Sequence, residues 1–209
     1  MLYIGIFLCG AGPACEFFSI PAYWNPDFIL GTSIPTPLGI WKFGIEDLIG
    51  PVGIVGIAVF IFELFHKPFN GLHKLSIIPI IRILGITLLG LLMICIFFFI
   101  FNINGIHACN LSSAVLSILI ILLKPSYLRT TTITAILCTI LYWLVLQLVK
   151  FIISPDVFNV VWNPDGRLGI MVAGVPIEEL IWAFFLAMIV GPLYRVAHDI
   201  PNNEGKAID

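Results

Sequence analysis

The sequence predicts an all-α protein, a polytopic transmembrane helical bundle of about six spans with two parallel internal repeats. Composition predicts the membrane location. Hydrophobic residues fill 60% of the 209 positions and charged residues only 11%, and the mean hydropathy is +1.09. A soluble domain has roughly 45–50% apolar and about 25% charged residues. Lipid is therefore expected to act as solvent for the excess apolar surface, and a duplicated motif predicts the repeats.

Long apolar segments define the predicted helices. A span needs about 18–20 apolar residues, and helices are expected because backbone polar groups in lipid must pair within the chain. The predicted spans lie near residues 1–20, 45–65, 75–101, 108–123, 130–153 and 174–197. No basic region precedes the first apolar run, which favours a retained span over a cleaved signal peptide. The whole chain, 1–209, is thus predicted to be a single membrane domain.

Lysine and arginine are unevenly distributed between the predicted loops, and this bias sets the orientation of a membrane protein. One side carries seven of them and the other side three. The seven are Lys67, Lys74, Arg82, Lys124, Arg129, Arg195 and Lys206; the three are Lys42, Lys150 and Arg167. We therefore expect a multi-pass protein of the cell membrane with both termini in the cytoplasm. The net charge of −2 does not indicate a basic surface that would bind nucleic acid.

An internal duplication is the most informative feature. Trp-Asn-Pro-Asp occurs at positions 24–27 and again at 162–165, and each copy is followed by an acidic motif. The first acidic motif is Gly-Ile-Glu-Asp-Leu-Ile at 44–49, and the second is Pro-Ile-Glu-Glu-Leu-Ile at 176–181. A four-residue match that contains tryptophan is unlikely by chance in one short chain. The duplication predicts a first repeat at 1–74, with a short leading half, and a second repeat at 75–209.

The spacing beyond the acidic motifs predicts that the two repeats are parallel. Glu46 to His66 and Glu178 to His198 are both 20 residues apart. The acidic pairs open the second and sixth predicted spans, and spans separated by an even number of crossings run in the same direction. Both pairs should therefore lie on one membrane face, the external face in the predicted orientation, with an axis near the membrane normal relating the copies.

The acidic pairs are the candidate catalytic residues: Glu46, Asp47, Glu178 and Glu179. Helix capping is the structural alternative, because acidic side chains in a first turn complement the positive end of a helix. Capping explains less well why two adjacent acids recur in matching apolar contexts. In a dry site one member of a pair could hold a proton while the other stays ionised, which would divide acid and base roles between them.

Aromatic residues flank both motifs. Trp24 and Trp162 open the duplicated loops, and Trp182 follows the second acidic pair. They are interpreted as interfacial and packing residues, or alternatively as π-faces presented to a cationic intermediate. With Pro176, they are the candidate substrate-binding residues. The five cysteines show no metal-ligand spacing, and neither a metal nor a cofactor is expected.

At positions 176–179, Pro-Ile-Glu-Glu opening an apolar helix resembles the membrane-embedded lycopene cyclase domain family. Members of that family occur as two half-size subunits or as a fusion of the halves. The first copy, at 44–47, keeps the two acids but has glycine in place of proline. The duplication extends the resemblance over most of the chain.

The resemblance implies redox-neutral ring closure at the acyclic ends of lycopene, towards β-carotene. A carboxylic acid protonates the terminal double bond, the carbocation closes on the neighbouring alkene, and a base removes a proton. Glu178 or Glu179 is the expected acid, and its neighbour or Glu46 is the expected base. The resemblance further implies a lycopene-like carotenoid substrate, no cofactor, contact with the lipid bilayer, and a homo- or hetero-oligomer with other carotenoid enzymes as one arrangement.

Two other classes of function remain open at this point. Parallel repeats with membrane carboxylates also describe a proton-coupled carrier of an apolar substrate. The departure of the first motif from the family pattern is compatible with a non-catalytic membrane partner of a carotenoid-biosynthesis enzyme. Carriers usually place their acids at mid-span, whereas these acids stand at predicted span starts.

Overall fold

A computed structural model of the protein describes residues 18, 23, 34–35, 42–43, 46–66 and 77–198. These residues are mostly helical, with short connections and two small hairpins. The α-helices are α1 (Glu46–Leu64), α2 (Ile77–Cys95), α3 (Gly105–Leu123), α4 (Leu128–Ile152), α5 (Val157–Val161) and α6 (Ile177–Ala197). The strands are β1 (Ile34–Pro35), β2 (Lys42–Phe43), β3 (Met171–Val172) and β4 (Val175–Pro176). A π-helical turn, Ile96–Ile100, extends α2, and 3-10 turns occupy Pro125–Tyr127 and Pro164–Gly166.

Four helices of the described part are long and apolar enough to cross a membrane. They are Ile77–Ile100, Gly105–Leu123, Pro125–Ile152 and Ile177–Ala197. The sequence prediction of an all-helical membrane protein is confirmed at this level, and each of the four lies where a span was predicted. The predicted span at 45–65 is occupied by α1, of which Val52–Leu64 is a shorter apolar helix. The predicted span at 1–20 falls outside the described residues, apart from Phe18.

Helix α6 is the centre of the bundle and the most buried of the four candidate spans. It packs against α1, α3 and α4. Asn110 of α3 bonds the backbone oxygen of Glu178, and Ser117 bonds that of Phe185, so α3 runs parallel to α6. Helix α4 runs antiparallel to α6, because its later residue Tyr142 reaches the start of α6 whereas its earlier Thr134 lies at Gly191.

Helices α1 and α6 are joined at their C-terminal halves. Phe62 packs closely on Gly191. A Cβ added at Gly191 would lie 3.4 Å from the Phe62 side chain. One turn further, the Arg195 guanidinium donates two hydrogen bonds to the Glu63 carboxylate, at 2.9 and 2.6 Å. Arg195 is buried. The two helices therefore run in the same direction, and the N-termini of α1 and α6 lie at the same end of the bundle.

The outward faces of the helices are apolar, as lipid contact requires. Leu, Ile and Phe side chains are exposed along α2 and α4, among them Ile81, Leu88, Leu92, Leu144 and Leu148. Some polar residues of α4 lie in the interior instead. Thr131 and Thr134 are fully buried on α4, beside the apolar cluster shared with α1 and α6.

Residues 156–176 cover the N-terminal end of α6. This cover contains α5, the turn Pro164–Gly166 and the hairpin of β3 and β4, in which Met171 pairs with Pro176 and Val172 with Val175. The hairpin turns at Ala173 and Gly174, which have φ angles of 52° and 82°. Lys150 and Gln147 of α4 donate hydrogen bonds to the Ala173 carbonyl, at 2.7 and 3.3 Å. The hairpin is thus fixed to α4.

Candidate active site

The acidic pair at the start of α6 is buried. Glu178 is 1% exposed and Glu179 is 7% exposed, although both stand in the first turn of the helix. Pro176 precedes them as the N-cap residue and is also fully buried. A solvated pair that only complements the helix end would lie on the surface. The burial of both carboxyl groups requires specific partners for them, because an unpaired buried charge is costly.

Glu179 is held between two tyrosine hydroxyls. Tyr23 donates to Oε1 and Tyr142 donates to Oε2, each at 2.9 Å. Tyr142 comes from α4, and Tyr23 comes from the segment that precedes the first Trp-Asn-Pro-Asp motif. A carboxylate accepts at both of its oxygens, which fits one tyrosine hydroxyl on each.

The Tyr23 hydroxyl is suited to donate. Its side chain is 2% exposed. Burial raises the pKa of Tyr23 above its ordinary value, and the charge of Glu179 and the hydrogen bond to it act in the same direction. The hydroxyl therefore keeps its proton throughout the physiological range and remains a hydrogen-bond donor to the carboxyl group.

Glu178 has a different environment. Its Oε1 accepts a hydrogen bond from the backbone N–H of Leu168, in the cover. Its Oε2 is buried and has no hydrogen-bond partner among the residues that the structure describes. The backbone oxygen of Glu178 is bound by Asn110, at 3.1 Å, which fixes the first turn of α6 to α3. One oxygen of this carboxyl group is thus hydrogen-bonded, and the other is buried without a partner among the described residues.

The cover encloses the pair with apolar side chains. Tyr23, Phe158, Trp162 and Val175 belong to one buried cluster with Leu180. The rings of Phe158 and Trp162 lie 4.4 Å apart. The backbone N–H of Asn163 donates to the Tyr23 carbonyl at 2.8 Å, so the residue before the first duplicated motif is fixed to the second motif.

The candidate substrate-binding residues fall into different places. Trp182 is partly buried, and its ring lies 6.0 Å from that of Tyr142, so it stands beside the partner of Glu179. Trp162 is 4% exposed and packs within the cover. Pro176 ends β4 directly before the acidic pair. Trp24 lies outside the described residues.

The first acidic pair is located only through its backbone. Glu46 is the first residue of α1 and Asp47 the second, so they open a helix as predicted. The side chains of residues 46–51 lie outside the described part of the structure. Whether these two carboxyl groups join Glu178 and Glu179 stays a prediction.

Sequence reasoning missed four contributors to the site: Tyr23, Tyr142, Asn110 and the backbone of Leu168. Tyr142 and Asn110 lie inside apolar spans, where a single polar residue gives no local sign of its partner. Tyr23 offered one signal, because it stands directly before a duplicated motif. The N–H of Leu168 carries no side-chain signature. Glu63, another acid without a predicted partner, is paired with Arg195.

Comparison with known families identifies the segment that carries this site. Residues 104–197 match the family model described as lycopene cyclase. We refer to residues 104–197, which match this family, as the lycopene cyclase domain. The resemblance drawn from the acidic motif is therefore confirmed. No match was found among the curated proteins or among the solved structures.

The lycopene cyclase domain contains α3 to α6, the cover and the second acidic pair. The match supports an enzyme of the carotenoid-cyclase type, and the four apolar helices indicate a membrane protein. Tyr23 and α1 stand outside the matched residues. The carboxyl pair of the lycopene cyclase domain is thus completed by a tyrosine from elsewhere in the chain.

Proposed function

We propose that this protein catalyses redox-neutral, acid-initiated ring closure at the acyclic ends of lycopene, giving β-ionone-type rings. The observation that carries the proposal is the buried pair of carboxyl groups, Glu178 and Glu179, at the covered end of the central helix of a lycopene cyclase domain. The reaction needs an acid, a base and exclusion of water from the carbocation. The pair and its apolar cover supply these three elements.

The reaction conserves atoms and electrons. A carboxylic acid of the pair gives its proton to the terminal double bond, and a tertiary carbocation forms. The neighbouring double bond attacks that carbon, which closes the ring and moves the cation to a carbon of the ring. A carboxylate removes a proton next to the new cation, and a double bond returns. One proton enters and one leaves, so the enzyme is an intramolecular lyase that acts as an isomerase and needs no redox cofactor.

Two parallel repeats are part of the proposal. Two observations support them. Each acidic helix follows a two-stranded hairpin, β1–β2 before α1 and β3–β4 before α6. Near the helix ends, Phe62 stacks on His66 at 4.5 Å, and Tyr194 stacks on His198 at 4.3 Å. Both pairs occupy equivalent positions of the two copies. We therefore place repeats at 1–74 and 75–209 in a bundle of about six spans, with both termini in the cytoplasm.

The first acidic pair is assigned a role in the same site. Helices α1 and α6 run in the same direction, so Glu46 and Asp47 begin their helix at the same end of the bundle as Glu178 and Glu179. We propose Glu46 as an alternative base. The lipid bilayer is proposed as the route of the apolar substrate, and Trp24, Trp162, Trp182 and Pro176 as residues that line its path. An oligomer with other carotenoid enzymes is one proposed arrangement.

Expression in a host that accumulates lycopene tests the proposal. Pigment analysis should show cyclic carotenoids of the same mass as lycopene. In deuterated water, each closed ring should carry one deuterium, because the proton of the acid exchanges with solvent. Unchanged lycopene in membranes that contain the inserted protein contradicts the proposal and leaves the carrier and partner functions.

Acid-to-amide substitutions then test which carboxyl groups take part in the reaction. Glu178→Gln and Glu179→Gln should each lower the rate by about 10²- to 10⁴-fold, the usual contribution of a positioned proton donor or acceptor. Asp156→Asn is the matched control, since Asp156 is an exposed acid of the cover. Glu46→Gln measures how much the first acidic motif contributes to the rate. Rates equal to that of the unsubstituted protein in both Glu178→Gln and Glu179→Gln would exclude this pair as the site.

A further inference from the structure

The two carboxyl groups of the pair have hydrogen-bond partners of different number and kind. Glu179 receives one tyrosine hydroxyl on each oxygen. Glu178 receives one backbone N–H on Oε1, while Oε2 is buried without a partner among the described residues. Hydrogen bonds to charged groups are stronger than bonds between neutral groups. The site therefore offers more stabilisation to a negative charge on Glu179 than to one on Glu178.

Resting on the proposed cyclase function, we propose that Tyr23 and Tyr142 are positioning residues that hold Glu179 as the carboxylate facing the carbocation, and that Glu178 is the acid. The carbonyl oxygen of a neutral Glu178 accepts from Leu168, and the hydroxyl of the acid occupies the partnerless Oε2 position. That hydroxyl keeps its proton available because no group among the described residues takes it in a hydrogen bond.

The assignment accounts for both proton transfers of the reaction. Glu178 loses its proton to the terminal double bond of the carotenoid. Glu179, already ionised, faces the positive charge and then accepts the proton that leaves the ring. The product has the same atoms as the substrate, and Glu178 and Glu179 have exchanged protonation states. Between turnovers Glu179 gives its proton to solvent and Glu178 takes one proton from solvent, which restores the starting state.

The position of the tyrosines suits this role. Tyr142 projects from α4, and its ring lies 6.0 Å from that of Trp182. Tyr23 is fixed through its own carbonyl to Asn163. Each hydroxyl is therefore carried by a backbone held independently of Glu179. The hydroxyls fix the direction of the carboxylate, and the aromatic rings exclude water from it.

The test is the binding of a cation mimic, which does not require turnover. The probe is N,N-dimethyldodecylamine, which is protonated at neutral pH and carries its positive charge on a tertiary centre. Binding is measured on the full chain in lipid nanodiscs, and dodecane partitioning is subtracted as the uncharged reference. A group that stabilises the carbocation must also bind a stable cation of similar shape.

Affinity for the amine should fall about 10- to 100-fold in Glu179→Gln and in Tyr142→Phe, and Tyr23→Phe should behave like Tyr142→Phe. Glu178→Gln should bind the amine within about threefold of the unsubstituted protein, because a neutral group is replaced by a neutral one. Tyr194→Phe is the matched control, since its ring stacks on His198 at the opposite end of α6. An affinity that falls in Glu178→Gln and is unchanged in Glu179→Gln overturns the assignment.

Steady-state kinetics distinguish a positioning role of Tyr142 from a general effect on protein stability. Tyr142→Phe should lower kcat about 10- to 100-fold and leave KM nearly unchanged, because the hydroxyl acts on charge that develops in the transition state. In a Glu179→Gln background, Tyr142→Phe should cause no further loss of kcat. Additive losses in the double variant contradict a role that acts through Glu179. If lycopene is not cyclised at all, the amine measurements still decide the assignment, so the two failures are distinguishable.

Discussion

Glu178 and Glu179 are neighbours in the chain, yet they are bound by different parts of the molecule. Consecutive helix positions point about 100° apart, so one carboxyl group meets the cover and the other meets α4 and Tyr23. The sequence predicted that this pair is a candidate site, because two adjacent acids in an apolar context are costly without a function. It could not predict the tyrosines, whose partners are set by the packing of separate helices.

At the residue scale, Trp182 and Trp162 should respond differently to substitution. Trp182→Leu should lower kcat about 2- to 30-fold, because a cation–π contact contributes roughly 0.5–2 kcal/mol, and should change stability little. Trp162→Leu should instead lower the free energy of unfolding by about 1–3 kcal/mol, because its ring packs inside the cover. Steady-state turnover and thermal unfolding in detergent measure the two effects. The reverse pattern would contradict a cation–π role for Trp182.

At the scale of elements, the helices were predictable and the hairpins were not. Long apolar runs gave the four spans, because lipid leaves a helix as the main way to pair the backbone. The hairpin strands have only two residues each, too few for an alternating pattern to be recognised. The turn at Pro164–Gly166 has an Asn-Pro-Asp sequence that favours turns, and the Asn163 side chain accepts from the N–H of Asp165 as such turns do.

The hairpin of the cover depends on one glycine. Gly174 has a φ of 82°, and a Cβ at this position would fall on the ammonium group of Lys150. Gly174→Ala should therefore lower the free energy of unfolding by about 1–3 kcal/mol. Gly56→Ala is the control, because nothing lies within 4 Å of a Cβ there and alanine favours a helix. Thermal unfolding measures both variants, and equal stability in the two would contradict strain at the turn.

At the scale of the whole molecule, one ion pair joins the N-terminal part of the chain to the lycopene cyclase domain. Glu63 follows Glu46 by the same 17 residues that separate Arg195 from Glu178. Equivalent positions of the proposed repeats therefore contact each other, as expected close to an axis that relates two parallel copies. Sequence reasoning predicted the repeats from their motifs but not this contact, because the two equivalent residues carry opposite charges.

Removal of one partner should destabilise the bundle. Glu63→Gln leaves the buried Arg195 without its carboxylate and should lower the free energy of unfolding by about 3 kcal/mol, since breaking a buried pair costs roughly 3–5 kcal/mol. The exchange Glu63→Arg with Arg195→Glu should recover a large part of that loss. Thermal unfolding compares the single and double variants. If the exchanged protein recovers no stability, the residues around the pair, rather than the ion pair itself, determine which position carries which charge.

The orientation is tested with a reporter. An enzyme that is active only in the cytoplasm, fused after Asp209, should be active, because the bias of lysine and arginine places this end inside. A reporter that is active only outside the membrane, fused at the same point, should be silent. The opposite result would place the acidic pairs on the cytoplasmic face and leave their mutual arrangement unchanged.

The two tyrosines that bind Glu179 are also translated before it. Ribosomes make Tyr23 first and Tyr142 next, and Glu179 emerges only with the last helix described here. Both hydroxyls can therefore be in the membrane before the second acidic pair is translated. The helix that carries two acids meets ready-made donors when it enters, which lowers the cost of bringing charge into an apolar environment. The chemistry of the site is assembled last, after the groups that control it.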